Sequence, residues 1–172
     1  MGRHASVTPW LQLVPGGHEE AYEEMSKSMD DFVQEIREQV LEETRDAYGK
    51  AAFERWLEPR FMGVMDDPDG YACLRGKCGD TVQIYLKFDG ERVKEASFQT
   101  DGCGSSVVCA SFATELARGK GPDEILEITG ESIMEILGGL PKEEAHCAFL
   151  AAETLQEALH SYMIKYREET GK

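Results

Sequence analysis

Two alternating apolar runs joined by a tight-turn dipeptide constrain this chain more than any other feature. Val82, Ile84, Leu86 and Phe88 alternate with Gln83, Tyr85 and Lys87, Asp89-Gly90 follows, and Val93 to Thr100 returns. Alternation buries one face of a strand, and Asp-Gly supplies the positive φ of a two-residue turn, so an antiparallel hairpin is predicted. The segment Asp66-Asp67-Pro68-Asp69-Gly70 reverses the chain ahead of it. Beyond Cys103 every periodic segment is helical. Ser105 or Ser106 caps a helix carrying Val107, Val108, Phe112 and Leu116, which Gly119 closes. Gly121-Pro122 opens a short helix, Ser132 to Leu137 forms another, and Pro141 starts a long one with the stripe Ala148, Ala152, Leu155, Leu159 and Tyr166. Strands first and helices afterwards, without βαβ alternation, give an α+β fold: a small antiparallel sheet with helices packed on one face.

An amphipathic helix precedes this domain. Tyr22, Met25, Met29, Phe32, Ile36 and Val40 recur at three- and four-residue steps among many carboxylates, and such a stripe is expected to cover something apolar. Phe53, Trp56 and Leu57 lead to Glu58-Pro59-Arg60, where proline stops the helix. The first stretch, with Pro9, Pro15 and Gly16-Gly17, has no periodicity. The predicted organisation is a flexible arm over 1–17, an acidic amphipathic helix over 18–50 and a domain over 51–168.

A length of 172 residues suits one domain with an appendage. Eighteen Lys and Arg against 33 Asp and Glu leave a net charge of −15, which excludes nucleic acid and anionic membrane surfaces as partners. No run approaches the ~20 apolar residues of a membrane span, and no basic stretch leads into an apolar one at the N-terminus, so a cytoplasmic protein is expected.

Five cysteines, an odd number, point away from a disulfide framework and toward metal ligation, thiol chemistry or burial. Cys78 precedes Gly79-Asp80 before the hairpin, Cys103 lies between two glycines at its end, and Cys147 follows His146 near the start of the last helix. Glycine neighbours let backbone approach an ion, and a helix start favours thiolate. No CxxC knuckle is present, so any site must be assembled by the fold. Three sulfurs, one imidazole and one carboxylate (Cys78, Cys103, Cys147, His146, Asp80) suit zinc or an iron–sulfur cluster. The oxygen ligand makes that group exchangeable. Spacing alone leaves ligation and ordinary packing both open.

The motifs themselves resemble a family. Gly76-Lys77-Cys78-Gly79-Asp80, Phe98 through Ser106 (FQTDGCGSS), Leu137-Gly138-Gly139-Leu140-Pro141 and His146-Cys147-Ala148-Phe149-Leu150-Ala151 closely resemble the NifU/IscU-type iron–sulfur cluster assembly scaffolds, over roughly Phe53 to Tyr166. Glu58-Pro59-Arg60-Phe61-Met62-Gly63 resembles the family's opening motif, in which asparagine often replaces Glu58. The resemblance implies an antiparallel sheet with packed helices and a scaffold that is not itself a catalyst. It would build a labile [2Fe-2S] cluster from iron and from sulfur delivered by a cysteine desulfurase, then pass it to apo iron–sulfur proteins. By the same resemblance Cys78, Cys103 and Cys147 are cluster ligands, Asp80 and His146 exchangeable metal ligands, and Cys147 the persulfide acceptor, with zinc possible in the apo form.

One departure concerns a partner. Where the bacterial IscU branch carries Leu-Pro-Pro-Val-Lys for a dedicated chaperone, this chain has Leu140-Pro141-Lys142-Glu143-Glu144, which argues against chaperone-assisted release. Cys109 is expected in the core and Cys73 in a loop. The alternative function is a zinc-dependent sulfur acceptor resembling the SufU branch. That branch lacks the His-Cys pair and carries an insertion between its second and third ligand segments.

Overall fold

The computed structural model describes residues 18–171, with side chains from Tyr22 onward, so the arm predicted over 1–17 lies outside the described residues. Helix α1 spans His18–Leu57 and is broken at Gly49, whose φ of 75° and ψ of 163° are non-helical. A positive φ costs glycine nothing, so the break falls where a side chain would oppose it. The chain divides into two compact units, at Glu43/Thr44.

The leading unit is described from His18 to Glu43 as helix alone. Its stripe differs from expectation. Tyr22, Met25, Met29, Phe32, Ile36 and Val40 are 46–69% exposed, because among the described residues of its unit the helix has no second layer. Local pairs support it: Gln34 donates to Glu38 at 2.7 Å and Gln39 to Glu43 at 2.9 Å, each one helical turn apart.

The second unit holds a three-stranded antiparallel sheet in the order β1-β2-β3, formed by Gly70–Arg75, Thr81–Asp89 and Arg92–Thr100. The predicted hairpin is β2–β3, with Ile84 opposite Phe98 and a register shift at Lys87/Phe88. Strand β1 extends the sheet beyond that hairpin and carries Cys73, which therefore sits on a strand and not in a loop. The far edge of β3 is partly covered, since Phe98 donates to Phe61 and Gly63 donates back to Phe98.

Helices follow as α2 (Gly104–Ala117), α3 (Pro122–Leu126), α4 (Gly130–Leu137) and α5 (Ala145–Thr170). The core lies between sheet and helices. Val82, Ile84, Leu86 and Phe98 meet Val108, Cys109 and Ala113 of α2 and Ala148, Leu155 and Ala158 of α5, all fully buried or nearly so. Cys109 is a core residue, as expected. Several boundaries differ from the sequence reading. Cys103 is the N-cap residue of α2, and neither Ser105 nor Ser106 caps it, because both hydroxyls turn toward the site described below. Pro141 precedes a short 3₁₀ turn (Lys142–Glu144) and α5 begins only at Ala145. Helix α4 starts at Gly130 through a Thr129–Ser132 capping box. Tyr166 lies where α5 has run past the sheet and is 40% exposed.

The trailing part of α1 is fastened to α2 by a buried cation. Arg55 donates to Ser111 and pairs with Glu115, its guanidinium 3.9 Å from the Phe112 ring centre, and Arg60 reaches the same carboxylate at 3.0 Å. Burying a guanidinium is tolerable only with such partners. Among the described residues no helix is long and apolar enough to cross a membrane.

Candidate metal centre

Three element ends converge. The loop Gly76–Asp80 leads into β2, Cys103 stands between β3 and α2, and Cys147 lies in the first turn of α5. Threonine and aspartate hydrogen bonds hold the first two together: Thr100 Oγ1 donates to the Thr81 carbonyl at 2.7 Å, and the Thr81 amide donates to Asp101 at 2.6 Å. As a result, one ligand atom each from Asp80, Cys103 and Cys147 lies within 4.8 Å of the others. Two sulfurs and a carboxylate at that separation can share one ion.

Asp80 Oδ2 is the organising atom. It accepts from Ser106 Oγ at 2.6 Å and from the Cys103 amide at 3.1 Å. The Ser106 hydroxyl foremost, then that amide, holds the Asp80 carboxyl below the usual carboxylate range, so it is a ready anionic ligand at neutral pH. The chain must come very close here. A Cβ at Gly102 would stand 2.5 Å from Asp80 Oδ2, so only glycine allows this approach.

The thiols differ in environment. Cys103 and Cys78 are exposed, whereas Cys147 is buried. Burial pushes the Cys147 thiol up to about 12, assisted by the neighbouring Cys103 and Cys78 and partly offset by Ser106. Cys147 is therefore a thiol at neutral pH, and a cation bound there must displace its proton. Cys109 is pushed up for the same primary reason, burial, but does not join the ligand-atom cluster and lies in the core.

Of the five residues singled out in the sequence, Asp80, Cys103 and Cys147 are brought together. Cys78 shares the Asp80 loop, and His146 neighbours Cys147, with Nε2 3.6 Å from its Sγ while Nδ1 is 2.8 Å from the Glu143 carbonyl oxygen. Neither joins the three-atom cluster in this geometry. Sequence reasoning missed Ser106, which is fully buried, bonded to Asp80, and 3.4 Å from Cys147 Sγ and 3.8 Å from Cys103 Sγ. Its signal was the i+3 spacing from Cys103, which puts both on one helix face. Glu144 was also missed: it accepts from Ser105, and from the Tyr48 hydroxyl at 2.7 Å.

Comparison with known proteins agrees with this architecture. The family model described as the NifU-like N-terminal domain matches residues 47–169. The chain is 40% identical over 119 residues to the iron–sulfur cluster assembly scaffold protein IscU 1 of Archaeoglobus fulgidus, covering 69% of this chain and 78% of that one. It is 36% identical over 121 residues to the IscU scaffold of Aquifex aeolicus, covering 69% and 77%. In fold it is similar to the N-terminal NifU-like protein of Brucella abortus, with a TM-score of 0.57 at 18% identity over 71% of this chain and 98% of that one. A SUF-system scaffold-type protein of Fervidobacterium islandicum gives a TM-score of 0.53 at 20% identity, covering 67% and 98%. With its sheet, its helices and most of its length matched in this way, the chain belongs to the NifU-like N-terminal domain family.

Proposed function

We propose that this protein is an iron–sulfur cluster assembly scaffold. It binds iron, takes sulfur from a cysteine desulfurase, builds a labile [2Fe-2S] cluster on Cys78, Cys103 and Cys147, and hands it to apo iron–sulfur proteins. It acts in the cytoplasm as a carrier and not as a catalyst. The observation that carries this reading is the convergence of the Asp80, Cys103 and Cys147 donor atoms within 4.8 Å at three element ends.

The chemistry of each residue follows from its setting. Cys103, exposed and flanked by glycines, meets incoming iron with Asp80, whose carboxylate is already ionised. An oxygen donor binds ferrous iron more loosely than thiolate does, which suits cargo that must leave. Cys147 takes the sulfane sulfur: its thiolate attacks the outer sulfur of the desulfurase persulfide, a new S–S bond forms, and the desulfurase thiolate departs. Two electrons from an external reductant then convert that sulfur to sulfide. Because Cys147 must first lose a proton held by burial, prior metal binding beside it promotes the step. Cys78 and His146, one residue or one loop from the cluster, complete the ligand set after a small loop adjustment.

The test is anaerobic reconstitution with ferrous iron, cysteine and a desulfurase, read by Mössbauer and visible absorption spectroscopy and by transfer to apo-ferredoxin. A [2Fe-2S] signal that transfers is expected, and Cys147→Ser should abolish persulfide labelling. Zinc retained with no cluster formed would overturn the scaffold in favour of a SufU-type sulfur acceptor.

A further inference from the structure

Glu144 ties together three helical segments, and two of them carry the site's thiols. It lies three residues before Cys147, and its carboxylate accepts from Ser105, two residues after Cys103. One carboxylate thus pins the start of α2 to the start of α5. The same carboxylate accepts from the Tyr48 hydroxyl of α1 at 2.7 Å. Ser105 is buried and Tyr48 half-buried, so these bonds are shielded from competing water. The Tyr48 hydroxyl is held above its usual range, first by the bond to Glu144 and then by burial, and so remains a donor.

The setting of Tyr48 makes this contact a releasable one. Tyr48 immediately precedes Gly49, where α1 is broken. Beyond the break Arg55 fastens α1 to Ser111 and Glu115. Tyr48 therefore stands next to a break in α1 whose far side is anchored. Tyr48 also lines an open pocket of about 260 Å³ with Ala52, Phe53, Trp56, Ser105 and Val108, so part of its side chain borders space and not only the core it packs against. Glu144 is also one of the positions where this chain departs from the IscU-branch motif, so the contact belongs to this chain's own sequence.

We propose that Tyr48, Ser105 and Glu144 form a latch that fixes the spacing of Cys103 and Cys147, and that opening it at the Gly49 break speeds release of the bound ion. They are positioning residues: they act on cargo through the two helix starts. The inference rests on the metal-site reading given under Proposed function.

The experiment uses the full chain loaded with Cd²⁺, whose thiolate absorption is followed during a chase with excess chelator. Glu144→Ala should speed release about tenfold and Tyr48→Phe by less, and the double variant no more than Glu144→Ala alone, because the Tyr48 bond ends on Glu144 while the Ser105 bond survives in Tyr48→Phe. Without metal, amide exchange over residues 142–147 should quicken in both variants. Leu155→Ala, which weakens the core without touching the latch, should leave the chase rate unchanged. Equal release from wild type and both variants, or effects that add in the double variant, would overturn the latch alone. A chase quickened equally by Leu155→Ala would also overturn it, by reducing it to general stability. Failure of the wild type to bind Cd²⁺ would bring down the metal-site reading and the latch with it.

Discussion

The leading unit and the domain carry the same kind of helical stripe and treat it oppositely. In His18–Glu43 the stripe residues Tyr22, Met25, Met29, Phe32 and Ile36 are roughly half or more exposed, whereas Ala148, Ala152, Leu155 and Leu159 of α5 are at most 4% exposed. Periodicity is therefore evidence of a helix and of which face is apolar, but burial is a property of what packs on that face. The domain supplies a sheet and several helices, and the leading unit as described is one helix. Charge sharpens the contrast. Ten Asp and Glu stand against Lys27 and Arg37 between Glu19 and Glu43, a composition that favours a solvated surface.

The comparison is broken most directly in the domain. Leu155→Ala removes a fully buried side chain between α5 and the sheet and should cost about 3 kcal/mol of unfolding free energy, measured by urea denaturation. A loss below about 1 kcal/mol would mean that the stripe of α5 is no better packed than that of the leading helix.

What could be read from the sequence follows the same division. The hairpin was legible because Val82, Ile84 and Leu86 face the core in strict alternation. Strand β1 was not, because its two buried residues are Gly70 and Ala72, too small to signal a strand. They are small because α5 lies directly on them: a Cβ at Gly70 would stand 2.4 Å from the Ala158 carbonyl oxygen. At the candidate centre, Asp80, Cys103 and Cys147 were legible as residue types in ordered motifs. Ser106 and Glu144 were not, since their partners lie far along the chain, as Tyr48 does from Glu144 at a separation of 96 residues. Only the closed fold shows which hydroxyl meets which carboxylate.

A smaller effect tests the domain's polar ties. Asp69 accepts from the Phe88 amide at 2.7 Å and from Lys87 at 2.9 Å, joining the loop before β1 to the end of β2. Desolvation would raise its carboxyl, but the Phe88 amide and the Lys87 ammonium outweigh that and hold it below its usual range. A carboxyl depressed in the folded state adds stability that is complete above the ordinary carboxylate pKa, near 4, and vanishes as pH falls through the folded value. Asp69→Asn should thus cost about 1 kcal/mol at neutral pH, and the gap to wild type should close below about pH 4 in thermal melts. A gap that persists unchanged at pH 2 would assign the loss to shape and not to charge.

The smallest effect belongs to the leading helix. Met29 occupies the middle of its stripe, just as Leu155 occupies the middle of that of α5, yet it is 58% exposed. Glutamine matches methionine closely in length and helix propensity, so Met29→Gln changes polarity while leaving the backbone preference almost untouched. Removing an apolar group that water already reaches forfeits little transfer free energy. The expected change in unfolding free energy is within about 0.5 kcal/mol, with far-UV circular dichroism unaltered. A loss approaching that of Leu155→Ala would require the Met29 side chain to be buried in solution, and the two stripes would then differ in partner and not in burial.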